Sequence, residues 1–181
     1  MKLDFSSVWQ YWPFLYHGAL TTLKITAMAA VLGFILGVLL SLIKISKCKP
    51  LVWFGNFYTS IFRGTPLLVQ LCIVHFGLPQ LTGMTLTTMQ SGVLTFSLNS
   101  AVGYRDMMKD IILPQAVKHI LPSLVNEAIS LLKESSILSY IGAVELLRAA
   151  DQITVLTFRF FEPYLVIALI YYVFVMLLSM V

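Results

Sequence analysis

Five long apolar segments with few charges dominate this sequence and limit what it can fold into. They cover residues 19–42, 51–79, 85–101, 121–139 and 160–181. A helix needs about 20 mostly apolar residues to cross the hydrocarbon core of a bilayer, so these segments predict five transmembrane helices. Of the 181 residues, 59% are hydrophobic and 11% are charged, whereas a soluble domain carries about 25% charged residues. We therefore expect one all-α integral membrane domain over residues 1–181, and the composition argues against a soluble enzyme, a disordered chain or a nucleic-acid-binding module.

Lysines that follow the first apolar segment predict the orientation of the chain in the membrane. Lys44, Lys47 and Lys49 lie close together, and cytoplasmic loops carry an excess of Lys and Arg. The N-terminus is therefore expected outside and, after five spans, the C-terminus inside. Because successive spans alternate in direction, the charged segment 142–159 between the fourth and fifth spans is expected outside. Aromatic residues within 5–16 predict an interfacial helix before the first span.

The second apolar segment contains a predicted helix break. Pro66 follows Gly64 and Thr65 inside this segment, and proline removes a backbone donor and clashes with the preceding turn. Non-helical backbone at membrane depth is tolerated only where it faces protein or a water-filled path. Arg63 is the only charged residue between positions 50 and 104. It is either a functional residue beside the break or a cation that reaches the cytoplasmic interface, and both interpretations stay open.

Two carboxylates on the fourth apolar segment predict a polar pocket. Glu127 and Glu134 are two helical turns apart and share one face, and Ser130 lies between them. A carboxylate within the bilayer raises the free energy of the protein unless it is paired with a cation or hydrated. A pair of acids can bind an ammonium or guanidinium group through charge-assisted hydrogen bonds, which makes these three residues candidates for substrate binding. The structural alternative is that one of the acids pairs with Lys133, with Arg63 or with a polar residue of the third apolar segment.

The sequence contains no motif for catalysis or for metal binding. It lacks the phosphate-binding pattern GxxxxGK[ST] and the hydrolase patterns HExxH and GxSxG. His17, His75 and His119 are scattered, and Cys48 and Cys72 have no metal-ligand spacing. We therefore expect no catalytic residue, no metal and no cofactor in this chain.

Six short motifs, in order along nearly the whole chain, carry a resemblance to a known family. They are TTLK at 21–24, FRGTPLLVQ at 62–70, SLNS at 97–100, ILPQA at 112–116, LKESS at 132–136 and TFR at 157–159. Together they resemble the membrane permease subunit of ATP-binding cassette importers for polar amino acids, of the histidine, arginine and glutamine permease type.

The resemblance implies a type I importer fold with five transmembrane helices in a bacterial cytoplasmic membrane. It implies a second permease copy, identical or similar, and two separate ATPase subunits that hold ATP and magnesium. It also implies an extracellular or periplasmic protein that delivers the amino acid. Carried onto this sequence, Glu127 and Glu134 would face the substrate side chain, which favours a basic amino acid such as arginine. Gly64, Thr65 and Asn99 would contact the backbone groups of the amino acid.

The family's ATPase-coupling motif is incomplete in this sequence. Ile111, Leu113 and Pro114 match its end, but the Glu-Ala-Ala triplet and the glycine that precede this end in the family are missing. Several helical turns are therefore expected to be absent near residues 101–102, and the chain stops at Val181 without a basic tail. Either the deletion is genuine and uncouples the chain from its ATPase, or the sequence omits segments of a longer chain. We favour the second explanation.

Two other classes of function remain compatible with the residues. The first is a channel or secondary transporter that works alone, and the second is an uncoupled membrane scaffold. The Ile-x-Leu-Pro remnant argues for the importer, because the motif has no use without an ATPase partner. The identity of the amino acid is left open.

Overall fold

The computed structural model describes residues 3–107 and 120–180. Within these ranges every regular element is a helix, which confirms the predicted all-α class. The α-helices are α1 Ser6–Gln10, α2 Trp12–Ile45, α3 Lys49–Gly64, α4 Leu67–Cys72, α5 Leu78–Thr82, α6 Thr88–Met107, α7 Ile120–Glu134, α8 Leu146–Thr157 and α9 Phe161–Ser179. A π-helical turn, Ile73–Gly77, joins α4 to α5, and a 3₁₀ segment, Ser135–Ile141, follows α7.

Helix α2 is the element on which the other helices pack. It has 34 residues and a length of about 51 Å at 1.5 Å per residue. Glycines along α2 let other chain segments approach closely. A Cβ atom at Gly18 would lie 2.9 Å from the carbonyl oxygen of Glu145, and one at Gly37 would lie 2.6 Å from the Cβ of Tyr104. The first part of α2 therefore supports the start of α8, and its second part supports α6.

The predicted break at Pro66 is confirmed. Helix α3 ends at Gly64, α4 begins at Leu67, and the helical segments on the two sides of the break are bent by 107°. Pro66 adopts φ −63° and ψ 139°, a conformation that suits proline and does not continue a helix. The break thus places backbone outside a helix in the middle of the second apolar segment.

Two of the described helices, α2 and α9, are long and apolar enough to span a membrane, and the bent pair around the break would make a third. Helices α6 and α7 do not pass the same test. Helix α6 carries polar residues on its buried surface, including Ser91, Thr95 and Ser97, of the kind that join helices inside a membrane. The number of five spans therefore stays a prediction.

The segment between the last two predicted spans contains a helix that packs against α2, which the sequence analysis did not predict. Helix α8 buries Leu146, Ala149, Ala150 and Ile153 in an apolar cluster shared with Leu15 of α2. At the other end of the chain, the aromatic segment forms the short helix α1 and then continues into α2, rather than forming one separate interfacial helix.

Helix α6 runs without interruption through Ala101 and Val102. The prediction that family residues are missing at this point concerns the sequence, and it stays a prediction. The predicted coupling residues Ile111, Leu113 and Pro114 lie outside the described residues.

Candidate functional site

The side-chain amide of Gln70 forms hydrogen bonds across the break in the second apolar segment. Its side chain is only 7% exposed. Nε2 donates to the carbonyl oxygens of Phe62 and Thr65, at 3.1 and 3.0 Å, and to Oγ1 of Thr65 at 2.9 Å. Carbonyl groups at the end of a helix lack intrahelical partners. Gln70 therefore supplies from α4 some of the hydrogen bonds that α3 loses where it ends.

The same amide joins the break to α6. Oε1 of Gln70 accepts a hydrogen bond from Nδ2 of Asn99 at 3.0 Å. The orientation of both amides follows from chemistry, because carbonyl oxygens only accept and the nitrogen of Gln70 must face them. Tyr58 of α3 adds a second link to α6 by donating to the carbonyl oxygen of Leu98. The structure thus brings the predicted site residues Thr65 and Asn99 into one network through Gln70.

The backbone at the break is open on its outer side. Gly64 and Thr65 are both exposed. A Cβ atom placed on Gly64 would meet no atom within 4 Å. The hydroxyl of Thr65 already donates to the carbonyl oxygen of Ile61 at 2.8 Å. The backbone of Gly64 is therefore accessible, because no side chain covers it. The side chain of Thr65 stabilises the turn.

Glu127 of α7 contacts α6 about one helical turn beyond Asn99. Its carboxylate packs against Gly103, where a Cβ atom would lie 2.7 Å from Oε2. Asn99 and Gly103 are four residues apart and so share one face of α6, about 6 Å apart along the helix axis. One face of α6 therefore contacts both the break and the acid of α7.

Lys133 interacts electrostatically with Glu134 on α7, but neither acid of this helix forms a close ion pair among the described residues. Glu127 and Glu134 are half-buried on α7, and within residues 3–107 and 120–180 neither forms a salt bridge to Lys133 or Arg63. Ser130 is also half-buried between them. No hydrogen bond within the described ranges joins these three residues to the break. The acids and the break are neighbours along α6 rather than one hydrogen-bonded cluster.

Arg63 lies on the last turn of α3 and is exposed. A cation at this position faces the negative end of the helix dipole. This placement is compatible with both interpretations of Arg63 drawn from the sequence.

Glu145 is a buried acid that the sequence analysis treated only as a charge in an outside segment. It is fully buried and caps α8, accepting hydrogen bonds from the backbone N–H groups of Leu147 and Arg148 at 2.8 Å each. Tyr171 of α9 donates to the same carboxylate at 3.2 Å. Burial raises the pKa of Glu145 to about 7 against the lowering effect of these hydrogen bonds. Glu145 therefore ties the start of α8 to α9.

The described residues thus combine apolar helices long enough to span a membrane with a broken span and, one helical turn further along α6, a half-buried acid. Residues 25–181 match the family model of the binding-protein-dependent transport system inner membrane component, and the chain belongs to this family. It is therefore a multi-pass membrane permease with the type I fold, and not an enzyme, as the sequence predicted.

The relatives and a solved structure agree with this family. The chain is 43% identical to the arginine transport system permease protein ArtQ of Bacillus subtilis (strain 168), over 100% of this chain and 94% of that protein. It is 40% identical to the putative glutamine transport system permease protein GlnP of Rickettsia felis, over 93% and 89%. A crystal structure of an amino acid ABC transporter with histidines matches with a TM-score of 0.90 and 37% identity, over 99% of this chain and 95% of that chain.

Proposed function

We propose that this chain is the permease subunit of an ATP-binding cassette importer that moves a polar L-amino acid into the cytoplasm, with a preference for a basic one such as arginine. The observation that carries the proposal is the half-buried carboxylate of Glu127, which has no salt bridge among the described residues. A relative named for arginine transport and a similar transporter crystallised with histidines support the same class of substrate.

The side chain of the substrate would be recognised from α7. Glu127 and Glu134 supply negative charge on one helix face, and Ser130 supplies a hydroxyl between them. A guanidinium or ammonium group brought into this half-buried position would give the acids a partner of opposite charge. Such a partner offsets the cost of holding two acids at depth.

The backbone groups of the substrate would be recognised from the break and from α6. Gly64 offers open backbone, Thr65 adjoins it, and Asn99 reaches the same network. A zwitterionic backbone needs both donors and acceptors close together, and a helix break supplies both because it leaves peptide groups without intrahelical partners.

The transport cycle would depend on partners outside this chain. We propose a second permease, identical or closely similar, two ATPase subunits that bind ATP and magnesium, and a soluble protein that delivers the amino acid from outside. The family description already names a binding protein. Ile111, Leu113 and Pro114 are the proposed contacts to the ATPase. We further propose that the N-terminus is outside and the C-terminus inside, and that this chain itself holds no cofactor.

Binding of labelled amino acids to the purified permease tests the proposal. We expect arginine, lysine and histidine to compete for one site, with arginine the strongest of the three. Glutamine is expected to compete more weakly, since it lacks the positive charge. Failure of the purified protein to bind any of the four would contradict the proposed function.

Glu127→Gln is expected to weaken arginine binding at least tenfold while changing glutamine binding by less than threefold. The reason is that a hydrogen bond to a charged group contributes about 1.5–3 kcal/mol, and about 1.4 kcal/mol corresponds to tenfold in Kd. Glu134→Gln serves as the companion variant on the same face. An equal loss for arginine and glutamine in both variants would rule out recognition by charge.

Gly64→Ala is expected to lower amino-acid affinity about tenfold or more without lowering the thermal unfolding temperature. No atom lies within 4 Å of the added Cβ in the protein, so the methyl group can only obstruct a ligand that approaches the open backbone. Kd and unfolding temperature are measured on the same preparation. Gly103→Ala is the contrasting variant, because its Cβ would lie 2.7 Å from Oε2 of Glu127; it is expected to displace this carboxylate and so weaken the binding of arginine more than that of glutamine. Unchanged affinity in Gly64→Ala would place the ligand elsewhere.

We also propose that an internal segment of the family is missing from this chain. The alignment with ArtQ runs over 207 positions and uses all 181 residues, so 26 positions of that alignment have no counterpart here. We attribute this difference to the chain near residues 101–102, because the coupling motif is incomplete there. Lengthening the chain at this point and measuring ATP hydrolysis in the assembled transporter tests the proposal.

A further inference from the structure

Gln70 uses its whole amide to connect three parts of the molecule. Its nitrogen serves the last turn of α3 and the turn residue Thr65, and its oxygen serves Asn99 of α6. Such a side chain, only 7% exposed, cannot exchange these partners for water. Removing it therefore takes a hydrogen-bond partner from Phe62, Thr65 and Asn99 at once.

The hydrogen bond from Gln70 also decides how Asn99 is oriented. Because Nδ2 of Asn99 donates to Gln70, Oδ1 of Asn99 is directed away from Gln70. Among the described residues, Oδ1 of Asn99 accepts no hydrogen bond. Asn99 thus presents an acceptor, which is the group that an α-ammonium requires.

The network restrains the turn as well. The two helical segments meet at 107°, and the turn between α3 and α4 contains only Thr65 and Pro66. Gln70 holds both the carbonyl and the hydroxyl of Thr65. The position of the neighbouring open backbone at Gly64 relative to Asn99 therefore depends on Gln70.

We propose that Gln70 is a positioning residue for amino-acid recognition, which holds Thr65 and Asn99 in one network so that the open backbone at Gly64 and Oδ1 of Asn99 meet the backbone groups of the substrate. The proposal rests on the proposed function of the site. It assigns to Gln70 a selective effect on the α-ammonium and α-carboxylate groups, and none on the substrate side chain, which the acids of α7 recognise.

Two ligands separate these effects. Arginine has the guanidinium group and both backbone groups, whereas n-butylguanidine has only the guanidinium group. Gln70→Met keeps the length of the side chain and removes its donor and acceptor. We expect this variant to bind arginine about fivefold to tenfold more weakly and to bind n-butylguanidine as the wild type does. Glu127→Gln is expected to weaken the binding of both arginine and n-butylguanidine.

A matched control and a second variant complete the test. Gln80→Met makes the same change at an exposed position of α5 and is expected to leave both affinities unchanged. If Gln70→Met does not fold, Gln70→Asn keeps a neutral amide but is one methylene too short to hold all of these partners, and the same selective loss is expected.

A double-variant cycle shows whether Gln70 acts through Asn99. Asn99→Leu alone is expected to lose arginine affinity, and adding Gln70→Met is expected to cost less than it does in the wild type, because the shared interaction is already gone. Strictly additive losses, or an equal loss of arginine and n-butylguanidine in Gln70→Met, would overturn the positioning role. Failure of the wild type to bind arginine would instead contradict the proposed function on which it rests.

Discussion

Replacing Glu145 with alanine is expected to lower the free energy of unfolding by about 3 kcal/mol, because the truncation leaves buried donors without an acceptor. The backbone N–H groups of Leu147 and Arg148 and the hydroxyl of Tyr171 all donate to this one carboxylate. For a chain of this size, the change corresponds to a fall of about 6–12 °C in the unfolding temperature. Thermal unfolding of the purified protein in detergent measures it.

Arg148→Ala is the matched control for this prediction. Arg148 lies on the exposed side of the same helix α8, so its replacement by alanine is expected to change stability by less than about 0.5 kcal/mol. If Glu145→Ala and Arg148→Ala unfold at the same temperature, Glu145 does not hold α8 through these hydrogen bonds.

The raised pKa of Glu145 predicts a pH dependence with a definite sign. The pKa is about 7 in the folded protein and 4.5 for the ordinary group, so the folded state binds more protons between these values. Stability from this group is therefore fully present below pH 4.5 and is lost as the pH rises towards 7. Glu145→Gln cannot titrate, so the stability of the wild type relative to this variant is expected to fall over that range and to stay level above it.

Sequence patterns predicted the features that depend on local chemistry. The bend at Pro66 follows from the missing backbone donor and the fixed φ of proline. The long apolar runs predicted helices α2 and α9, because each run is long enough to span a membrane. The spacing of Glu127 and Glu134 was enough to place both acids on one face of one helix. Each of these predictions needed only residues that are near one another in the chain.

The features that the sequence did not reveal depend on contacts between distant segments. Gln70 occurs within a recognised motif, but its role depends on a 107° bend and on Asn99, which is 29 positions away. Glu145 gave no capping signal, because Ser, Thr, Asp and Asn are the usual N-cap residues. Its burial follows from the close approach of Gly18 on α2, which no local pattern indicates.

The 181-residue chain is expected to support no substrate-stimulated ATP hydrolysis when it is combined with the ATPase subunits and the binding protein of its own source. A coupling helix has to project from the membrane to reach an ATPase. Helix α6 has 20 residues and is about 30 Å long, which is about the thickness of the hydrocarbon core. The sequence that follows α6 keeps only the Ile-x-Leu-Pro end of the coupling motif and lacks its Glu-Ala-Ala triplet and glycine.

Inserting between Ala101 and Val102 the ArtQ segment that carries its coupling motif is expected to restore the ATP hydrolysis that arginine and the binding protein stimulate. An insertion of the same length made of Gly and Ser is the control, because it restores the length without the coupling helix, and it is expected to remain inactive. Binding of arginine to the permease alone is expected to be similar in all three proteins, since Gly64, Asn99 and Glu127 are unchanged. Stimulated hydrolysis by the 181-residue chain at the level of the lengthened one would show that its coupling surface is complete. Uptake by the chain alone in liposomes without ATP would instead support a channel or secondary transporter.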